Sequence, residues 1–189
     1  MGKKLVLTVC SGNIHRSVIA QLCLDRELVN IEKDTEFEVL SRGIQGTMGT
    51  NPPEHPNLRY YPMEYGHTDP CLREIGIEIP AGQKATVIDE QIVKEASLIL
   101  AMDKEVLSEK RTPKGEPMSL TDQFSEHAFK MRLFMELVGE KGDVQDCGEK
   151  DDADFHRQEV MSINEVAKAG IHTMIRWVEE LEAKKERKE

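Results

Sequence analysis

The stretch KLVLTVCSGNIHRSVIA, running from Lys4 to Ala20, limits the folds open to this chain more than any other segment. Lys4–Val9 is apolar and β-branched, with no polar alternation. That suits a strand buried on both faces, as in a parallel sheet. From Ser17 the period changes. Val18, Ile19, Leu22 and Cys23 recur at helical spacing, with Asp25, Arg26 and Glu27 facing away. Between the two lies a loop of a few residues, CSGNIHR, bounded by Cys10 and Arg16.

The rest of the chain repeats the alternation. FEVLS (Phe37–Ser41) reads as a second strand closed by Gly43. A segment rich in Gly, Pro and Asn follows, with no periodic core, and predicts a long loop over about 44–70. Its glycines do not have the spacing of a dinucleotide fingerprint. PCLREIGI is a short amphipathic helix ending at Gly76, and VIDEQIVKEA is another, with Asp89 near its start. SLILAMD (Ser97–Asp103) is a third buried strand ending in a carboxylate, and Met131–Leu137 suits either a fourth strand or a helix. CGEKDDADFHRQ is a polar loop. Val160, Ile163, Val166, Ile171, Met174, Val178 and Leu181 then form the stripe of a long C-terminal helix, 158–185. Strands alternating with helices imply an α/β fold with a parallel sheet. Such sheets bind ligands at the carboxyl ends of their strands, where Cys10 lies.

The 189 residues suit one domain, 1–189. The net charge of −10 argues against non-specific binding to nucleic acid or to an anionic membrane. No run of about 20 apolar residues spans a membrane, and the apolar run after MGKK is too short for a secretory signal. Met1-Gly2 lacks the Ser or Thr at position 6 that a myristoylation signal wants. The chain reads as cytoplasmic. Cys10, Cys23, Cys71 and Cys147 are scattered, and neither they nor the six histidines have metal-ligand spacing. No metal and no cofactor is expected.

A loop such as CSGNIHR can curl its N–H groups inward to hold an anion. Gly12 permits the backbone angles this needs, and the following helix adds unpaired N–H groups and a positive dipole end. Arg16 offers a planar fork that grips two oxygens. The same positive field favours the thiolate of Cys10, and Ser17 can donate a hydrogen bond to that sulfur. A phosphate cradle above an activated nucleophile is a site for covalent phosphoryl transfer.

VLTVCSGNIHRSVIA resembles the C-x-G-N-x-x-R-S motif that follows the first strand of low-molecular-weight protein tyrosine phosphatases. LSRGIQG, CLREIGI and ASLILAMDKEVL follow that family's course, and GDVQDCGEKDD stands where the family carries its general acid. The resemblance covers most of the chain outside the loop around Thr50–Gly66 and the extended C-terminus. It implies a three-layer αβα fold around a mostly four-stranded parallel sheet. It also implies that Cys10 attacks phosphorus, that Arg16 and the amides of Ser11, Gly12, Asn13, Ile14 and His15 hold the phosphate, and that Ser17 stabilises the thiolate. Asp146 would be the general acid, ahead of its neighbours Asp143, Asp151, Asp152 and Asp154, because DVQDCG mirrors the family's Asp-Val-Pro-Asp-Pro order. Asp103 would be structural. The implied partner is a phosphorylated protein or a small phosphate ester, acted on by a monomer.

The departures are specific. Cys147 and Gly148 follow Asp146 where the family has Pro and then aromatics, so the wall for a phosphotyrosine ring is missing there. Tyr60, Tyr61 and Tyr65 could supply it, or could merely pack the loop down. His15 replaces a second cysteine that protects the nucleophile in many members, and is expected to face outward beside the pocket. Ile14 stands where the arginine phosphatases of the family carry Thr, favouring a phosphate ester. An arsenate reductase of this fold needs two relay cysteines close together, which Cys71 and Cys147 do not provide. A phosphate-binding module with little turnover is the alternative.

Overall fold

The computed structural model describes residues 2–148 and 150–187. Four strands form one all-parallel sheet in the order β2-β1-β3-β4, with β1 Lys4–Cys10, β2 Phe37–Gly43, β3 Leu98–Ala101 and β4 Met131–Leu133. β1 sits in the middle, paired Lys4 to Phe37 through Cys10 to Gly43 on one side and Val6 to Leu98 through Val9 to Ala101 on the other. Its run is apolar because both faces are covered. Val6 packs with α1 (Arg16–Asn30), α2 (Pro62–Glu74) and α5 (Ala153–Glu186). Leu5, Leu7 and Val9 pack on the opposite side with Val93 of α3 (Glu90–Glu95) and Leu120 of α4 (Leu120–Gln123). This is the expected three-layer αβα architecture.

Three boundaries differ from the sequence reading. The segment read as loop to about residue 70 becomes a 3₁₀ turn at Leu58–Tyr60 and then α2, which starts at Pro62. Pro62 suits the first helical position, where its missing N–H costs nothing. Thr68, Cys71 and Leu72 are the buried residues of α2, which packs on α5, and this packing outweighs Pro70 inside the helix. Met131–Leu137 is both things in turn, β4 followed by a 3₁₀ turn at Phe134–Val138. The C-terminal helix begins at Ala153 rather than 158, because Asp152 caps it by accepting from the Phe155 N–H at 3.0 Å. No helix among the described residues is long and apolar enough to cross a membrane.

Candidate active site

The loop from Cys10 to Arg16 is shaped by the end of β2. The Ile44 N–H donates to the Cys10 carbonyl at 3.2 Å, and the Gln45 N–H donates to the Ser11 carbonyl at 2.9 Å. In a trans peptide the N–H points opposite to the C=O. Holding these two carbonyls outward therefore turns the N–H groups of Ser11 and Gly12 toward the inside of the loop. Asn13 takes a left-handed backbone, φ 56°, which asparagine tolerates better than most residues. Its side chain spans the loop: Oδ1 accepts from the Thr86 N–H at 2.9 Å and Nδ2 donates to Ser17 Oγ at 3.1 Å. Gly43 lies directly beneath. A Cβ there would come within 2.8 Å of the Ser11 carbonyl oxygen and 2.9 Å of the Asn13 nitrogen, so any side chain would push the loop out.

Cys10 is buried and its sulfur is the focus of this loop. The Asn13 N–H donates to Cys10 Sγ at 3.2 Å, and Ser17 Oγ lies 3.0 Å away. α1 starts at Arg16 with no acidic residue in its first turn, so the positive end of the helix is left for an anion. Arg16 is buried, and its fork is fixed from behind. Nη1 is ion-paired to Asp103 and also donates to the Val144 carbonyl at 3.0 Å. Burial opposes its charge, but Cys10, Asp146 and Asp103 around it raise its pKa above the usual arginine value. Asp103 is held in turn by the Val106 N–H. Asp103 thus holds Arg16 from behind, away from the Asp146 side.

Asp146 approaches from the other side, with Oδ2 3.0 Å from Arg16 Nη2. Its loop is tied down at each preceding residue. The Val144 N–H donates to the Met102 carbonyl beyond β3 at 2.8 Å, and the Gln145 N–H donates to Glu159 of α5 at 2.9 Å. The Asp146 side chain nevertheless stays 60% exposed, at the mouth of a cleft of about 260 Å³ that Cys10 and Arg16 also line. The rival carboxylates are engaged elsewhere or point away. Asp143 accepts from the Lys104 N–H, Asp151 pairs with His67, Asp152 caps α5, and Asp154 is exposed in its first turn.

Sequence comparison finds no family model and no curated protein that matches. Solved structures do match. A low-molecular-weight protein tyrosine phosphatase from T. tengcongensis superimposes with a TM-score of 0.67 at 23% identity, covering 90% of this chain and 99% of that one. The YwlE arginine phosphatase from Geobacillus stearothermophilus gives 0.66 at 19% identity, covering 92% and 94%. Vibrio vulnificus Wzb in complex with benzylphosphonate gives 0.63 at 20%, covering 91% and 99%. The chain has the fold of the low-molecular-weight protein tyrosine phosphatases.

Within that phosphatase fold, the cleft brings together Cys10, Ser11, Gly12, Ile14, Arg16 and Asp146, while Asn13 and Ser17 act from below. Of the three tyrosines only Tyr61 lines it. Its hydroxyl bonds the backbone of His55, whose N–H donates at 3.1 Å, and the His55 ring meets it edge-on at 5.4 Å. Tyr61 thus supplies a fixed aromatic wall. Tyr60 is exposed, and Tyr65 turns to Asp69 and Arg59.

His15 does not face outward. It is 4% exposed, and its Nε2 bonds Thr68 Oγ1 at 2.9 Å. Burial, His156 and Arg16 together lower its pKa to about 3, so the ring is neutral. It still lines the cleft, from within the loop. The reason for its burial is α2: once that helix starts at Pro62, Thr68 and the underside of His15 close on each other.

Glu64 escaped the sequence reading, because it belongs to the segment read as loop. It lines the same cleft from α2. Burial and then Asp146 push its carboxyl up to about 7, against the pull of Arg16. Native Glu64 therefore keeps its proton between about pH 4.5 and 7, where an unfolded glutamate loses it, so stability falls as pH rises through that window. Glu64→Gln is expected to leave thermal stability unchanged near pH 4 and to raise it near pH 8 by about 1–2 kcal/mol, allowing for partial screening. Melting curves of both proteins at both pH values check this. An equal gap at the two would mean that Glu64 is not the titrating group.

Proposed function

We propose that this protein is a cysteine-dependent phosphatase that hydrolyses phosphate monoesters through a phosphocysteine, with phosphotyrosine on proteins as its substrate class. The observation that carries the reading is the convergence on one point of the Cys10 sulfur, the inward loop amides, the Arg16 fork and the Asp146 carboxylate.

The phosphate oxygens sit on the loop N–H groups and Arg16, which offset their charge as it spreads in the transition state. Cys10 Sγ attacks phosphorus; the S–P bond forms as the P–O bond to the leaving group breaks. Asp146 delivers a proton to the departing oxygen. Asp146 then takes a proton from water as that water attacks phosphorus, the S–P bond breaks and the thiolate returns. Tyr61 supports an aryl ester by offering a flat apolar wall, and Ile14 at the cleft supports an ester over a phosphorylated guanidinium. The four free thiols suit a reducing, cytoplasmic setting.

A leaving-group series tests the assignment. Asp146→Asn is expected to slow phenyl and alkyl phosphates by about 10²–10³-fold and aryl phosphates with good leaving groups by much less, because only poor leaving groups need the proton. Equal losses across the series would move the acid to another residue. Absence of turnover in the reduced wild-type protein, with vanadate still bound, would leave a phosphate-binding module.

A further inference from the structure

Behind the loop lies a buried cluster that sequence spacing does not announce. His15, Cys147 and His156 each bring one donor atom within 4.8 Å of the others, and all three are buried. His15 comes from the phosphate loop, Cys147 directly follows Asp146, and His156 lies in the first turn of α5.

The hydrogen bonds fix the tautomers. His156 Nε2 lies 2.9 Å from the Lys150 carbonyl, which can only accept, so in a neutral His156 ring Nε2 carries the proton and Nδ1 is bare. The Thr68 hydroxyl, 3.1 Å from that Nδ1, must then donate to it. Thr68 Oγ1 therefore accepts from His15, which places the His15 proton on Nε2. His15 Nδ1 is left as a bare lone pair, buried and without a partner. An unpaired buried acceptor costs about 1–3 kcal/mol, which a ligand would recover.

We propose that His15, Cys147 and His156 form a binding site for a borderline-soft divalent cation of the zinc class, fastening the Asp146 loop to the phosphate loop. The donor set of two neutral imidazoles and one thiol is the kind zinc takes. The second contact is also in place, since a ligating histidine usually donates its other N–H to an oxygen, as His15 does to Thr68. A tetrahedral ion needs donors about 3.3–3.6 Å apart, so small side-chain rotations close the site. On binding, His15 Nδ1 gives its lone pair to the metal. Cys147 releases its proton to solvent and binds as thiolate. His156 Nδ1 gives up the Thr68 hydroxyl, and water fills the fourth position. On either side of buried Cys147, the Asp146 side chain is 60% exposed and Gly148 lines the cleft. The site does not depend on turnover at Cys10.

Cobalt(II) and zinc titrations of the full-length Cys10→Ser protein test this without the catalytic thiol. One cobalt ion per chain is expected to give a thiolate-to-cobalt charge-transfer band, displaced by zinc, with a rise in melting temperature under zinc. Cys147→Ala in the same background should lose the band, and His156→Gln should weaken cobalt binding at least about tenfold. Melts in chelator show which variants are folded, and either folded variant suffices. No band in Cys10→Ser, a band that survives Cys147→Ala, or unchanged affinity in His156→Gln overturns the proposal.

Discussion

Replacing Cys10 with serine is expected to lower turnover of an aryl phosphate at least about 10³-fold while phosphate or vanadate still binds. The two effects separate because different atoms carry them. In the proposed mechanism binding rests on the loop N–H groups, the start of α1 and Arg16, none of which the substitution removes. The proposed chemistry rests on the sulfur, which has the Asn13 N–H at 3.2 Å and Ser17 Oγ at 3.0 Å. A serine hydroxyl in the same place stays protonated at neutral pH and is a weak nucleophile. Activity retained in Cys10→Ser would place the nucleophile elsewhere. Loss of both binding and activity would show that the sulfur shapes the loop rather than reacting within it.

Removing Arg16 has the largest expected effect on stability. Its guanidinium is 5% exposed and faces Asp103, whose side chain is 12% exposed. Deleting one partner of a buried ion pair leaves the other uncompensated, which costs about 3–5 kcal/mol. Arg16→Ala is therefore expected to lower the urea midpoint strongly as well as abolish turnover. Adding Asp103→Asn removes the stranded charge while keeping an oxygen for the Val106 N–H. The double variant should regain much of the stability and none of the activity. A double variant as unstable as Arg16→Ala would show that the loss comes from packing and from the Val144 carbonyl rather than from Asp103.

The phosphate loop was legible because its chemistry is contiguous. Cys10, Gly12, Asn13, Arg16 and Ser17 follow a strand and open a helix, so the change of period marks the loop that holds them. Asp146 was legible only through the order of acids around it. What singles it out in space is that Asp143, Asp151 and Asp152 are occupied by Lys104, His67 and the α5 cap. The end of α2 was legible in PCLREIGI, but its start at Pro62–Asp69 was hidden because Gly66, His67 and Thr68 are poor helix formers and Pro70 interrupts the pattern; tertiary packing on α5 supplies what propensity lacks. With α2 went Glu64 and the burial of His15. A histidine in a polar loop reads as exposed, and only the fold brings Thr68 and His156 over it.

The central claim is that Cys10 becomes phosphorylated during turnover. The most direct measurement is intact-protein and peptide mass analysis after rapid acid quench of the enzyme with an aryl phosphate, in the presence of chelator. One phosphate per chain on the peptide carrying Cys10, accumulating further in Asp146→Asn with a good leaving group because the water step is slowed, is the expected result. Hydrolysis that proceeds with no phosphate on Cys10, or with phosphate on another residue, would contradict it.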